Sequence, residues 1–564
     1  MGFADLLERV GGVGRFQALH AALLCLPVLL HASHNLLQNF AAAAPAHRCR
    51  APANLSAAGA PPPPSPAPPL VPALLTAPLD ADGLPARCQR FVRPQWQVLG
   101  ANGSAPGGGG AQNGSAAELQ ACAEGWEYDT AETGATVVSE WDLVCDRRSL
   151  KQMAQTIYMA GVLVGAVIFG DLADRFGRRM LLTFSYLLMA VGGTCAAFAP
   201  TFPAFCVFRF LCGMALSGMS LNCFSLLLEW VPVHMRTVFG TGIGYFYTIG
   251  QLLLAGVAYL IRDWRWLTLA VSVPFYISFL YSWWVLESAR WLVLKGKTDA
   301  AVRNLRLVAR LNGHKDQGDR IDTEVLQAAM QKELSVSRKA SSALDLLRTP
   351  GMRRITVCLS FAWFSTSFAY YGLSLDLPRF GVSLYLMQVI FGAVDVPAKL
   401  LATAAMSVLG RRATQSGALV LAGLTVLANL LVPSELQVLR TCLAVLGKGC
   451  LAASFMCCFL YAGELFPTVI RQSGIGWMSM VARVGSMVSP VVLLLGEFLP
   501  WLSGVVYGVA PIISGVIAAF LPETLGTALP DTIQDVEERM CGQKTKKEEL
   551  MLKDSKDLQQ TEDI

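Results

Sequence analysis

The sequence predicts an all-α membrane protein of twelve spans arranged as two six-helix halves. Three observations predict it. The 564 residues have a mean hydropathy of +0.47 and only 15% are charged, against about 25% in soluble domains. Apolar runs of about 20 residues, the length that crosses a bilayer, recur along the chain. Short charged motifs of the first half return in the same order in the second.

The expected spans are 16–42, 149–169, 179–199, 203–225, 238–261 and 266–286, then 352–375, 382–406, 413–432, 437–461, 474–497 and 503–521. This divides the chain into an N-terminal segment 1–15, a first half 16–286, a charged linker with short helices 287–351, a second half 352–521 and a tail 522–564. The first apolar run, "ALHAALLCLPVLLHASHNLLQNF", exceeds a signal-peptide core and is read as a retained helix.

Basic residues set the orientation. The linker carries Arg290, Lys295, Lys297, Arg303, Arg306 and Arg310, and "DRFGRRM" lies between spans 2 and 3. Both are expected on the cytoplasmic side, with both termini. The loop 43–148 then faces outside. It holds the glycosylation acceptors Asn54, Asn102 and Asn113 and four cysteines, Cys49, Cys88, Cys122 and Cys145. An even number in an oxidising compartment implies two disulfides, with three connectivities open. Pro-rich and Gly-rich stretches in this loop read as extended insertions.

The repeat comes in three ordered pairs. "LEWVPVHMR" places Glu229, Pro232 and Arg236 at the spacing of Glu464, Pro467 and Arg471 in "GELFPTVIR". "RFGRR", with Arg175, Gly177 and Arg178, matches "LGRR". "LESARWL", with Glu287 and Arg290, matches "LPETLG". Three pairs at nearly constant offset mean a duplicated six-helix unit. That layout is the major facilitator fold, with a substrate site between the halves near the midplane. "GDLADRFGRR" resembles the facilitator loop after span 2. Gly170 is expected to allow close helix approach and Asp174 to pair with an arginine or a helix end. The repeated Glu and Arg residues are expected to form ion pairs that close the inner side and break when the halves rock. The competing reading is a structural loop with snorkelling basic residues.

"LLERVGGVGRFQ", "ASHNLLQNF", "SEWDLVC", "SFAYYGL", "QVIFGAVDVPAKL", "AVLGKGCLAASF" and "ARVGSMVSP" together resemble the solute carrier 22 family, in its organic anion transporter branch. The resemblance runs from residue 1 to about 535 and lapses in the loop insertions and the tail. It implies the pairings Cys49–Cys122 and Cys88–Cys145. It also implies uptake of organic anions such as urate or p-aminohippurate in exchange for an internal dicarboxylate such as 2-oxoglutarate. The implied place of work is the basolateral plasma membrane of renal proximal tubule.

Two cations lie deep in the spans. Lys399 sits mid-span 8. Arg483 lies about 10 residues into span 11, ~15 Å down, near the centre of a ~30 Å hydrocarbon core. Ionisable groups at that depth face a cavity or a partner. Lys399 has Asp395 one turn before it on the same helix face, so a structural pair competes with a ligand-facing role. Arg483 has no acid nearby in sequence and is assigned to the anion, or to chloride. Aromatics frame the same space. The resemblance assigns Tyr247, Tyr370, Tyr371 and Phe455 to the cavity with the two cations. Trp363, Asn35, Ser220 and Asn222 are further candidates.

No nucleotide loop, zinc-type Cys/His spacing or nucleophile elbow occurs. No enzyme, cofactor, metal or nucleic-acid partner is therefore expected, and a solute gradient is expected to drive transport. A cation or zwitterion transporter and a transport-inactive scaffold are the rival readings. The terminus "TEDI" is a weak PDZ-type pattern.

Overall fold

The computed structural model describes residues 3–50, 77–78, 85–92, 118–131, 133–337, 345–377, 383–433, 435–467, 470–527, 530 and 532–540. The acceptors Asn54, Asn102 and Asn113 and the last part of the tail, 541–564, fall outside these. The described residues divide into two units. One is helical and comprises residues up to 39, 152–260 and those from 267 onward; the other comprises 40–151 and 261–266.

The helical unit contains two sets of six long helices. The first set is α1 (Arg15–Ala41), α2 (Ser149–Phe176), α3 (Arg178–Ala197), α4 (Phe202–Glu229), α5 (Arg236–Leu260) and α6. α6 enters this unit at Leu267 and is split into Trp264–Ser272 and Pro274–Tyr281, because Pro274 opens a new first turn. The second set is α7 (Pro350–Leu375), α8 (Leu384–Val408), α9 (Arg411–Leu431), α10 (Gln437–Leu465), α11 (Arg471–Phe498) and α12 (Pro500–Ala518). Eleven of these are long and apolar enough to cross a membrane. α7 falls short because Ser360, Ser365, Thr366, Ser367, Tyr370, Tyr371 and Ser374 dilute it. Most of that polar surface is turned inward: Ser365, Thr366, Ser367, Tyr370 and Ser374 are buried.

Small residues let the helices meet. A Cβ at Gly161 on α2 would stand 2.2 Å from the Phe210 carbonyl oxygen of α4, and one at Gly213 the same distance from the Tyr158 carbonyl oxygen. Backbone contact of this kind is how lipid-embedded helices gain dispersion energy. Gly170 does not serve this purpose, since a Cβ there would meet nothing within 4 Å. The close approach lies further up α2, at Gly161 and Gly165.

The duplicated motifs build the same joint twice. Gly177 precedes α3 with φ +102°, and Gly410 precedes α9 with φ +89°, a region L side chains avoid. Each glycine lets a carboxylate reach the new helix's first N–H groups. Glu287 accepts from the backbone N–H of Arg178 (3.2 Å) and Arg179 (3.0 Å). Glu523 accepts from Arg411 (2.8 Å) and Arg412 (3.0 Å). Orphan amide donors and the helix dipole both favour an anion there. Glu229 pairs with Arg178 (3.6 Å) and Glu464 with Arg411 (2.9 Å).

Both of these ion pairs lie within one half, and each Glu binds the arginine after the glycine. Arg236 donates to the Val231 carbonyl (3.4 Å) and Arg471 to that of Phe466 (3.1 Å). Arg175 pairs with Asp171 on an exposed face, and Arg290 lies over the Phe3 ring. The Asp174 side chain is outside the described residues.

Short helices Ala289–Leu294, Thr298–Leu311 and Thr323–Ser337 follow in the linker, and the helix Phe3–Arg9 joins their apolar cluster. Asn312 accepts from the Phe16 N–H at the start of α1 and donates to Val10. The "GGVG" turn follows from this, because a Cβ at Gly14 would stand 2.3 Å from the Asn312 side chain.

In the other unit, β1 (His47–Cys49) pairs antiparallel with β4 (Trp126–Tyr128), and β2 (Gln89–Phe91) with β3 (Leu119–Ala121). Disulfides Cys49–Cys122 and Cys88–Cys145 tie them.

Burial pushes the Glu287 carboxyl up against its N–H bonds, whereas in Glu523 four backbone N–H bonds outweigh burial and hold it below the ordinary carboxylate range. A depressed folded pKa gives stability that is present above the unfolded value, ~4.3, and is lost as pH falls through the folded one. Glu523→Gln is expected to cost roughly 1 kcal/mol at neutral pH, read as a lower thermal midpoint in detergent, with the gap narrowing below pH ~4.

Candidate substrate cavity

Lys399 does not pair with Asp395. Its ammonium donates to the Gly244 carbonyl and to Thr248 Oγ1, both 2.8 Å away on α5 of the opposite half. Asp395 is fully buried and turned elsewhere. Its Oδ2 accepts from the Tyr370 hydroxyl (2.9 Å) and from Gln251 Nε2 (3.3 Å). Gln251 also donates to the Tyr370 oxygen at 2.9 Å. A carboxylate, an amide and a phenol from α8, α5 and α7 thus close one hydrogen-bonded triangle across the halves. An apolar site would penalise any of them alone by several kcal/mol. Asp395 Oδ1 keeps no protein partner.

Arg483 is half-buried on α11. Nη1 donates to Ser479 Oγ at 2.7 Å, one turn earlier, and Nη2 to Ser220 Oγ at 3.5 Å on α4. Among the described residues no carboxylate lies within ion-pairing distance, and two neutral hydroxyls leave a guanidinium that can engage an anion through its planar fork.

Asn35 gathers the hydroxyls. Its Nδ2 donates to Tyr247 and Tyr371, both at 3.4 Å, and its Oδ1 accepts from Tyr158 at 2.9 Å. Gln155 donates to the Asn35 carbonyl at 3.2 Å. Further along α1, Asn39 donates to the Ser374 carbonyl at 2.7 Å. Phe455 stands edge-on to Tyr370 with centroids 5.1 Å apart, and Tyr370 edge-on to Tyr371.

Two sequence candidates are not brought to this cluster by their polar atoms. Asn222 is buried and spends its amide on its own helix, at the Gly218 carbonyl (2.7 Å). Trp363 packs in the second-half core, edge-on to Phe459 at 4.5 Å, and reaches the cavity aromatics only through Phe455.

Two buried cations escaped the sequence reading. Lys448 on α10 lies 2.9 Å from the Tyr370 ring centroid and donates to Ser374 Oγ at 2.9 Å. Arg209 on α4 lies over Tyr158 at 4.1 Å and donates to the His34 carbonyl. The signal that marked Lys399, a cation mid-way along an apolar span, was present for Lys448 in "AVLGKGCLAASF". Among the described residues, the cluster holds Arg209, Lys399, Lys448 and Arg483 against the carboxylate of Asp395. Such a field favours anions and disfavours cations.

Comparison with known proteins decides the family. Residues 112–534 match the family model described as "Sugar (and other) transporter". A zebrafish (Danio rerio) protein named Solute carrier family 22 member 6 is 62% identical over 96% of this chain and 95% of its own length. The chain belongs to solute carrier family 22. The rat (Rattus norvegicus) protein of the same name is 50% identical over 96% of this chain and 95% of its own. Among solved structures, the proton:xylose symporter XylE bound to 6-bromo-6-deoxy-D-glucose aligns with a TM-score of 0.55 at 22% identity, over 68% of this chain and 88% of its own. XylE from E. coli in its inward open conformation aligns with a TM-score of 0.54 at 19% identity, over 68% and 88%. These likenesses establish the major facilitator fold. The solute carrier 22 chain is a multi-pass membrane transporter, and its family is not one of enzymes.

Tyr370→Phe removes the hydroxyl shared by Gln251 and Asp395 and leaves a buried carboxylate with one donor fewer. The expected result is a loss of about 1–3 kcal/mol of stability, measured as a drop in thermal midpoint. Asn222→Ala, distant from the cluster in its bonding, is expected to change apparent substrate affinity far less than Asn35→Ala.

Proposed function

We propose that the protein is a plasma-membrane organic anion transporter working by alternating access, and that it exchanges an external organic anion for an internal dicarboxylate. The observation that carries this reading is Arg483: a guanidinium deep in α11 that donates to the Ser479 and Ser220 hydroxyls and, among the described residues, has no carboxylate partner. Phe455, Tyr247 and Tyr371 offer ring faces for the apolar body of an aromatic carboxylate. Arg483 and Lys399 offer the donors for its charged end. Chloride fits the same guanidinium. Two cations on different helices suit an anion with two charged ends, which favours dicarboxylate as the counter-substrate.

On this reading the basic ends of the helices, with Arg178, Arg411 and the linker, face the cytoplasm, and the disulfide-bonded unit faces outside, as its oxidised cysteines favour. The resemblance to the organic anion branch points to basolateral membrane of renal tubule. Glycosylation at Asn54, Asn102 and Asn113 and a PDZ-type contact at the terminus belong to the same proposal. The rival cation transporter has the field of three buried cations and the half-buried Arg483 against it.

Uptake of labelled p-aminohippurate into expressing cells tests the reading. Preloading with glutarate is expected to accelerate uptake, and no acceleration rejects exchange. Arg483→Asp inverts the charge at the cavity and is expected to abolish anion uptake with surface expression retained. Uptake that survives it rejects the assignment of Arg483.

A further inference from the structure

An exchanger must keep its empty form from turning over. The cavity holds one contact suited to such a restraint. Lys399 belongs to the second half, yet both of its hydrogen bonds go to the first, to the Gly244 carbonyl and Thr248 Oγ1. We propose that Lys399 is a tether whose release by a bound anion makes exchange obligatory. The inference rests on the organic anion exchange reading above and adds the device that couples the two fluxes.

The physical argument is competition for one ammonium. Buried against α5, Lys399 holds a neutral carbonyl and a neutral hydroxyl, and its own carboxylate neighbour Asp395 is occupied by Tyr370 and Gln251. An arriving carboxylate offers the ammonium a full opposite charge in a medium of low dielectric, which outbids two neutral acceptors. Once the ammonium turns to the anion, α5 and α8 lose the two charge-assisted bonds between them. Other bonds between the halves remain: the neutral ones from Gln251 to Tyr370, Asn35 to Tyr371 and Asn39 to Ser374, and two with one charged partner, Gln251 to Asp395 at 3.3 Å and Arg483 to Ser220 at 3.5 Å, both longer than the 2.8 Å bonds of Lys399. Without an anion, the tether re-forms and the halves stay in register. Thr248 is thus a positioning residue. It acts through Lys399, and its hydroxyl is the part of the tether a side-chain substitution removes.

Thr248→Val keeps the shape of the side chain and deletes the acceptor; Thr248→Ala does the same with less volume, and Thr248→Ser restores the hydroxyl. The test uses the full-length protein in proteoliposomes loaded with labelled glutarate. Efflux is measured with and without external p-aminohippurate and normalised to protein in the membrane. The wild type is expected to release label only when external anion is present. Thr248→Val or Thr248→Ala is expected to raise anion-free efflux roughly tenfold relative to exchange, the change that follows from losing ~1.4 kcal/mol of restraint, and Thr248→Ser is expected to return it. A merely structural role for Thr248 lowers both fluxes together and leaves their ratio fixed. Coupled wild type with equally coupled Thr248→Val and Thr248→Ala overturns the tether and leaves exchange standing. A wild type whose efflux ignores external anion overturns the exchange reading, and the tether with it.

Discussion

A cation placed in hydrocarbon has to be answered by something, and the arrangement of this protein follows from how four such cations are answered. Arg209, Lys399 and Lys448 are buried and Arg483 is half-buried. Each finds oxygen or ring partners: carbonyls for Arg209 and Lys399, hydroxyls for Lys399, Lys448 and Arg483, and aromatic faces for Arg209 and Lys448. Neutral partners satisfy donors without cancelling charge. The surplus of positive charge is therefore retained, and α7 contributes to it through Ser374 and the Tyr370 ring, which receive Lys448. The same residues that lower α7's apolarity supply the polar lining of the cavity.

The inner joints obey a second, simpler rule. A helix start exposes unpaired N–H groups, and each half meets that need with a distant glutamate that reaches them past a glycine of positive φ. Glu287 and Glu523 close the helix pairs α3 and α9 onto the segments that leave α6 and α12. Glu229 and Glu464 then fix the first arginine of each new helix. The two halves are locked internally by equivalent devices, so each is suited to move as one piece.

Much of this was legible in the residues. Low charge, apolar runs and the three ordered motif pairs implied twelve helices in two sets, and depth alone singled out Lys399 and Arg483. What sequence could not reveal was partnership. Asp395 stands one turn from Lys399, yet the two side chains point to different neighbours: Tyr370 and Gln251, distant along the chain, hold the carboxylate, and Gly244 and Thr248 hold the ammonium. The repeated Glu and Arg of E-x-x-P-x-x-x-R look like a pair, yet the Glu turns to the arginine after the glycine. Gly170 looked like a contact glycine from its motif, while the contacts fall at Gly161 and Gly165. Lys448 was as visible as Lys399 and needed only the same criterion applied once more.

The composition of α7 has a consequence for how the chain is made. A segment with so many hydroxyl groups partitions into lipid reluctantly while it is alone, and the partners that receive those hydroxyls stand later in the sequence: Ser454 meets Thr366, Lys448 meets Ser374 and Asp395 meets Tyr370. Ser360, Thr366 and Ser374 also donate within α7, each to the carbonyl four residues earlier, which shelters part of that polarity before any neighbour is present. What α7 lacks until α8 and α10 stand beside it is a partner for the Tyr370 hydroxyl and for the remaining lone pairs of Thr366 and Ser374.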